Sequence, residues 1–450
     1  MGREPDATSR PDADAVAALQ ALVRIATVSW PDDAQLDANA FAAFHAELEH
    51  RFPRLHERLE RHLIGTHGLL FCWAGAQAER PVVLMAHQDV VPVDDSAPWQ
   101  HSPFGAEIHD DAIWGRGTLD DKGALVAICA AVERLLAEGF VPAQDVWLSF
   151  GAREEISGPD AALAVAALRD RGVAPWFVLD EGGAIAHEAF PGIDPPLGVV
   201  GVTEKGTTTV ELVAEGRGGH ASTPAPGGPT ARIARAVTRL ERRQLPPRLP
   251  EPTLRMFERL APHAPRGMST LFRHARRLEP VLARALIRTG PEAAALARTS
   301  LSVTTLRGSP AHNVIASRAS AGVNLRIMVG DSVASVVEHI RKAVDDETIR
   351  VEVVDANEPS PVSPSDGPAY DLIARTIEAV FPDAVVTPYV MMAATDSRFF
   401  SALCPRVYRF APFRMSKAQR ESIHSYDEHL GVPDFLAGVQ WYRQLIEGIS

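Results

Sequence analysis

Apolar positions along the chain alternate between two spacings. From about Asp14 to Val28 the run AVAALQALVRIATV repeats at the period of a helix, with Asp12 or Asp14 placed to cap it. A second helical stretch covers about Asp37 to Leu59, and Pro53 should interrupt it, because a proline ring clashes with the preceding turn. Short β-type runs follow at Leu69 to Trp73 and Val82 to Met85. An Ala-rich helix is expected at about Gly123 to Glu138, a strand at Val146 to Phe150, a helix at Ala161 to Arg169 and a strand at Trp176 to Leu179. Strands alternating with helices predict an α/β fold, a mostly parallel sheet covered by helices on both faces.

The pattern changes near Gly201. Strand, helix, a Pro- and Arg-rich helical stretch, two strands, helix and strand occupy the residues up to about Pro359, after which helix Ala369 to Val380 and strands Ala384 to Val390 and Arg406 to Phe410 resume the first pattern. The expected organisation is a discontinuous domain of residues 1–200 and 359–450, with an α+β domain, 201–358, inserted into it. Within the insert, residues 244–300 form a further helical insertion. Its Leu254, Phe257, Leu260, Leu282 and Leu286 recur at helical spacing and are expected to pack helices onto the inserted domain, with the arginines left in solvent rather than facing a membrane.

Composition narrows the classes. A chain of 450 residues, 46% hydrophobic and 23% charged, can bury substantial cores. A net charge of -12 argues against nucleic acid as partner, since a phosphate backbone is bound by a basic face. Three widely spaced cysteines, Cys72, Cys129 and Cys404, make no disulfide framework. The polar start MGREPDATSRPDADA has no signal-peptide core and no run has the length of a membrane span, so a cytoplasmic location is expected.

Candidate chemistry gathers where predicted strands end. His87 follows VVLMA, Glu154 and Glu155 follow VWLSFGAR, and Asp180 follows WFVL. Ligands of open α/β sheets bind at the carboxyl ends of strands, so three such endings point to one shared site. Singly, each motif has a plain reading. His87 and Asp89 could be a core imidazole with a salt bridge, Asp120-Asp121 a helix cap, Glu154-Glu155 a solvated acid pair, and Asp180-Glu181-Gly182-Gly183 a turn. Each also has a chemical reading: a carboxylate-oriented metal-bound imidazole, a carboxylate bridging two cations, and adjacent acids that face opposite ways.

Taken in order, VVLMAHQDVVPV, SPFGAEIHDDAIWGRGTLDDKG, GAREEISG and LDEGG resemble the dinuclear zinc exopeptidases, the family of glutamate carboxypeptidase, aminoacylase, carnosinase, acetylornithine deacetylase and carboxypeptidase S. The resemblance covers nearly the whole chain. It implies that His87, Asp120 and Asp180 hold one metal, and that Asp120 bridges to a second held by Glu155 and His424. Asp89 would orient His87 and Glu154 would be the general base. It further implies two Zn2+ per chain, replaceable by Co2+ or Mn2+, a cis peptide at Asp120-Asp121, and a ferredoxin-like lid or dimerisation domain.

From that domain His220, in GGHAS, would stabilise the oxyanion, and Asn313 and Arg326 would hold substrate, with Arg398 beside the site. The long insertion resembles the branch of carboxypeptidase S and the N-acyl-amino-acid hydrolases. The implied activity is hydrolysis of the amide of a short peptide or an N-acyl amino acid bearing a free carboxylate. Its alternatives are a strict aminoacylase without peptidase activity and an inactive metal-binding protein. The assembly stays open: the inserted domain could form a homodimer, or its extra helices could block that contact.

Overall fold

The structure is a computed structural model that describes residues 10–94 and 96–450, so the polar segment 1–9 lies outside the described residues. The first helix, Arg10–Val23, already includes Asp12 and Asp14. Its carboxyl end is closed by Lys122, whose buried Nζ donates to the carbonyls of Leu22 and Ile25 at 3.1 and 2.6 Å. Helix Ala38–Arg51 is capped by Asp37, whose side chain accepts from the backbone of Asn39 and Ala40. Helix Pro53–Arg58 then starts afresh with the proline in its first turn, where a missing N–H costs nothing.

Among the described residues the larger sheet has ten strands. At its centre, Gln77–His87 runs parallel to Gln144–Gly151 on one side and to Phe177–Asp180 on the other. Val407–Arg409 adds in parallel to the latter, and Val385–Met391 pairs in parallel with Leu197–Glu204. Antiparallel pairs occur toward the rims, where Glu60–Ile64 joins Gly68–Trp73 and that strand joins Gln144–Gly151. The registers place His87 opposite Gly151 and Asp180 opposite Arg409, so the carboxyl ends of the central strands share one edge. One sheet face is covered by helix Lys122–Ala137, buried along almost its whole length, and by the C-terminal helix Val432–Glu447, which buries Phe435, Val439, Trp441, Tyr442 and Ile446. Helix Asp160–Asp170 covers the other face, over Leu70, Val83, Met85 and Val178.

Residues 206–356 build a separate four-stranded antiparallel sheet, in the order Ser300–Arg307, Arg318–Ile327, Gly206–Glu215, Ile349–Ala356. With helices Pro229–Arg242 and Val333–Val344 packed on one face, the chain order βαββαβ and this strand order are those of a ferredoxin-like unit. Ser332 starts the second helix with a capping box shared with Ser335.

The helical insertion departs from expectation. Glu251–Leu260, Arg266–Arg273 and Glu279–Thr289 bury Met256, Phe257, Leu260, Phe272, Leu282 and Leu286 against Phe190, Ile193, Leu197, Val199, Val385 and Tyr389. These partners belong to the ten-stranded sheet and its loops, not to the inserted domain. The physical reason is supply of apolar surface. The inserted sheet already covers its apolar face with its own two helices. The paired strands Leu197–Glu204 and Val385–Met391 carry apolar side chains that nothing else in the first domain would cover. Among the described residues no helix is long and apolar enough to cross a membrane.

Phe257 meets Phe190 edge-on at 5.8 Å between ring centroids. A double-mutant cycle of Phe190→Ala and Phe257→Ala, followed by denaturant unfolding, should give a coupling of about 0.5–1.5 kcal/mol. Additive losses would contradict this contact across the two units.

Candidate active site

His87 ends its strand buried. Its Nδ1 lies 2.9 Å from the Asp89 carbonyl and 3.4 Å from the Asp89 carboxylate, so Nε2 is turned outward, 2.9 Å from Asp120 Oδ1 and 3.5 Å from Glu181 Oε1. The other oxygen of Asp120 lies 3.0 Å from His424 Nε2, and Glu155 Oε2 lies 2.9 Å from the same nitrogen. One carboxylate thus faces two separate imidazole and carboxylate sets, His87 with Glu181 and His424 with Glu155.

Backbone contacts hold these groups. Asp89 is fully buried and its carboxylate accepts from the amides of Glu154 and Glu155 at 3.1 and 3.2 Å, which joins the end of the His87 strand to the acid pair. Glu428, also fully buried, accepts through Oε1 from the amides of Gly117, Leu119 and Asp120 at 3.0, 2.8 and 3.2 Å, and through Oε2 from Arg116 Nη1 at 2.6 Å. The loop carrying Asp120 is therefore wrapped around a side chain that lies four residues beyond His424. The Asp120-Asp121 peptide is cis, as the resemblance implies. Buried Asp121 starts the following helix and accepts from the His87 amide at 3.3 Å.

The structure brings His87, Asp120, Glu155 and His424 together, with Asp89 and Glu154 beside them. It does not bring the Asp180 carboxylate to His87: Asp180 Oδ2 accepts from the backbone of Ser397 at 2.9 Å, and Glu181 stands at the cluster instead. Successive side chains of an extended segment point to opposite sides, so a strand that sends Asp180 toward residues 395–397 sends Glu181 toward His87. Both acids were visible in LDEGG, and spacing alone does not choose between them.

The four substrate-binding candidates lie elsewhere. His220 and Asn313 are exposed on a small two-stranded ribbon, where Gly219 and His220 pair with Ile315 and Val314. The Ala221 amide donates to the Asn313 carbonyl at 3.1 Å and His220 Nδ1 contacts Ser222 Oγ at 2.7 Å. Half-buried Arg326 donates to Thr207 Oγ1 at 3.1 Å, and Arg398 donates to the Thr395 carbonyl at 3.4 Å. None of the four bonds to the cluster among the described contacts. Asp396, two residues before Arg398 in the Ala394 to Arg398 segment, is buried next to this edge.

So many acids in one dry place distort one another's titration. Burial and then the charge of Asp120 push Glu181 up to about 8, and burial and then Asp180 push Asp396 to about 8. Burial, reinforced by Glu181, Asp396 and Glu155, holds Glu154 well above the usual carboxylate range. Asp120 moves the other way: burial opposes its ionisation, but bonds to His424 and His87 outweigh burial and hold it low. His424 rises to about 10 through its bonds to Asp120 and Glu155. A cluster that concentrates negative charge and raises both imidazoles is one that attracts cations. Its donors fit such a guest: separations of 2.9 to 3.5 Å are near the ~3.3 Å expected between ligands bound at ~2.0–2.2 Å to one tetrahedral ion. Glu155 Oε1 is buried without a hydrogen-bond partner, a donor left over for a cation.

A sequence profile of Peptidase family M20/M25/M40 matches residues 83–448. The chain belongs to this family and is a hydrolase. It is 33% identical over 428 residues, 94% of this chain and 82% of the relative, to the "Probable carboxypeptidase S-like 2" of Dictyostelium discoideum. It is 33% identical over 438 residues, 96% of this chain and 85% of the relative, to the "N-fatty-acyl-amino acid synthase/hydrolase PM20D1" of Xenopus tropicalis. In fold it resembles the M20 family metallo-carboxypeptidase Sso-CP2 from Sulfolobus solfataricus, with a TM-score of 0.68 at 16% identity over 96% of this chain and 98% of that one.

The titrations set a pH dependence for the metal-free protein. Glu181 and Asp396, at about 8 when folded, sit above the ~4.3 and ~3.9 of an unfolded chain. The folded state therefore keeps protons that the unfolded state releases, and stability present at acid pH is lost as pH rises through 8. His424, at about 10 when folded, acts in the same sense from about pH 6.5 upward. Asp120 and Asp89 are held low and stay ionised in both states above about pH 5, so they do not offset the trend. Burial lowers His45, His56, His67 and Lys122, the last to about 7, and these act in the opposite sense in both forms of the protein. Relative to Zn2+-loaded protein, the melting temperature of chelator-treated protein should therefore fall between about pH 5 and 8, and a difference that rises across that window would contradict the assignment.

Proposed function

We propose that the protein is a metal-dependent amidohydrolase that cleaves a short peptide or an N-acyl amino acid bearing a free carboxylate. The observation that carries this reading is Asp120, whose two oxygens each face a different imidazole and carboxylate set. In this proposal His87, Asp120 and Glu181 hold one divalent cation, and Asp120, Glu155 and His424 hold the other. Glu181 thereby takes the place expected of Asp180. Zn2+ suits the mixed imidazole and carboxylate donors, and Co2+ or Mn2+ fits the same set. The cations would supply Lewis-acid activation of a water and of the amide carbonyl.

The chain supplies the rest. Asp89 fixes the tautomer and ring direction of His87 through Nδ1. Glu154, next to Glu155 on a loop anchored by Asp89, accepts the proton of the attacking water and delivers it to the amide nitrogen as the C–N bond breaks. Its burial raises its proton affinity, which suits a group that must both take and give a proton near neutral pH. His220 is assigned to the developing oxyanion and Asn313 to substrate. Arg326 and, secondarily, Arg398 are assigned to the substrate carboxylate, for which a planar guanidinium offers two parallel bonds. Relatives named as a carboxypeptidase and as an N-fatty-acyl-amino acid hydrolase match at equal identity over nearly the whole chain, which keeps both a peptide and an acyl amino acid in the substrate class.

Turnover of a panel of dipeptides and N-acyl amino acids, with metal content measured on the same preparations, tests the reading. Glu154→Gln should keep its metal and lose about 10²–10⁴-fold in kcat; a variant that keeps substantial turnover removes Glu154 from the mechanism. Glu181→Ala should lose bound metal while Asp180→Ala retains it, and the reverse result would restore Asp180 as the ligand. Arg326→Ala should raise KM for a free acid far more than for its amide. Equal losses on both would rule out carboxylate recognition by this residue.

A further inference from the structure

Outside the catalytic cluster, the described residues hold one more set of donors close enough to share an ion: His101, Glu107 and His109. His109 Nε2 lies 3.0 Å from Glu107 Oε2, and His101 Nδ1 lies 3.7 Å from the same oxygen. One nitrogen of each imidazole therefore approaches a single carboxylate oxygen. The two imidazoles stack with centroids 3.9 Å apart and planes 14° apart, so one ring must turn out of the stack before both in-plane lone pairs meet one ion, and exposed His109 is the ring with room to turn.

The three side chains are held in place by backbone. Glu107 and His109 are i and i+2 on the strand Glu107–His109, so they share one face, and that strand is paired with Ala112–Trp114. His101 comes from the preceding loop, where Gln100 is anchored by its amide and its side chain to Asp427 at 2.7 and 2.8 Å. The Trp114 ring meets His101 edge-on at 4.7 Å between centroids and limits how far that ring can turn. The side chains of His109 and Glu107 are 45% and 54% exposed, so an ion can reach the site from solvent and keep waters in its remaining positions.

We infer that His101, Glu107 and His109 form a second, surface metal site, separate from the catalytic centre, that takes one borderline-soft divalent ion of the Zn2+, Ni2+ or Cu2+ class. Two imidazoles and one carboxylate select such ions over Ca2+ and Mg2+, which demand oxygen donors. Trp114 links the site to the candidate catalytic segment, since its ring stacks on His429 at 4.2 Å, and His429 lies five residues beyond His424.

The test uses the metal-loaded enzyme titrated with Ni2+ alone, with binding followed by calorimetry and by equilibrium dialysis. Wild type should take up one ion per chain more than the His101→Ala/His109→Ala variant, and catalytic turnover before Ni2+ addition should be the same in both. Because only the difference is read, the result does not depend on how many ions the catalytic centre holds. The single variant His109→Ala, altered at an exposed position, should weaken uptake by more than the about 10–100-fold that follows loss of a mere outer-shell partner. Added Cu2+ should quench a tryptophan component that Trp114→Phe removes. Equal uptake by wild type and the double variant would overturn the site. Displacement of the extra Ni2+ by millimolar Ca2+ would overturn the assigned ion class.

Discussion

The constraint on which the rest of the structure depends is the gathering of carboxyl groups at one edge of the ten-stranded sheet. Asp89, Asp120, Asp121, Glu154, Glu155, Asp180, Glu181 and Asp396 lie in or beside a region largely closed to water. Like charges at such separations in a low dielectric cannot all ionise unless something positive shares the space. Three kinds of compensation occur. Backbone amides take up Asp89, Asp180 and Glu428; imidazoles hold Asp120 in its charged form; and burial favours the protonated forms of Asp121, Glu181, Glu154 and Asp396. The amide-bound acids are structural fasteners. Of the remaining acids, Asp120, Glu155 and Glu181 share their oxygens with imidazoles, and these are the ones a divalent cation would relieve.

Glu428 shows how much of the fold serves this edge. Its partner Arg116 is 312 residues away in sequence, and the pair is almost completely buried. A buried ion pair gains little net stability over an apolar one, while loss of one partner strands the other charge. Here the carboxylate also takes three amides of one loop, those of Gly117, Leu119 and Asp120, so it determines the path of the backbone into Asp120. The hairpin of Glu107–His109 and Ala112–Trp114, closed by His429–Gly431, brings the distant C-terminal segment alongside that loop. His424 reaches the cluster because Glu428 is tied to the other side of it.

Much of the fold could be read from periodicity, because the central strands are unbroken apolar runs and their ends carry the acids. The break at Pro53 and the change of pattern near Gly201 were legible for the same reason: each is a local event. What escaped was decided by tertiary contacts. The helical insertion carries the right apolar stripe, but a stripe does not name its partner, and the exposed sheet edge of the first domain won it. The C-terminal helix is absent from the sequence reading although Phe435, Val439, Tyr442 and Ile446 recur at helical spacing, because Pro433 and Gly438 interrupt the pattern; Pro433 sits harmlessly in the first turn, and Gly438 lies where a Cβ would collide with Phe413. Asp180 and Glu181 differ by one residue, which on an extended segment is the whole difference between two faces of the sheet.

Asp89 shows why neighbouring acids can divide labour. Its carboxylate touches His87 Nδ1 on one side and the amides of both Glu154 and Glu155 on the other. The ring that presents Nε2 to Asp120 and the loop that presents two glutamates are thus referenced to the same buried group. Glu154 and Glu155 lie in a turn rather than on an extended segment, so both can stand at the cluster. Glu155 reaches His424, and Glu154 is left beside it with its proton affinity raised by burial and by the acids around it. A displacement of Asp89 would move the proposed ligand His87 and the proposed base Glu154 together, so their separation is protected even where their absolute positions are not. Proton transfer depends on that separation far more steeply than on any overall shift.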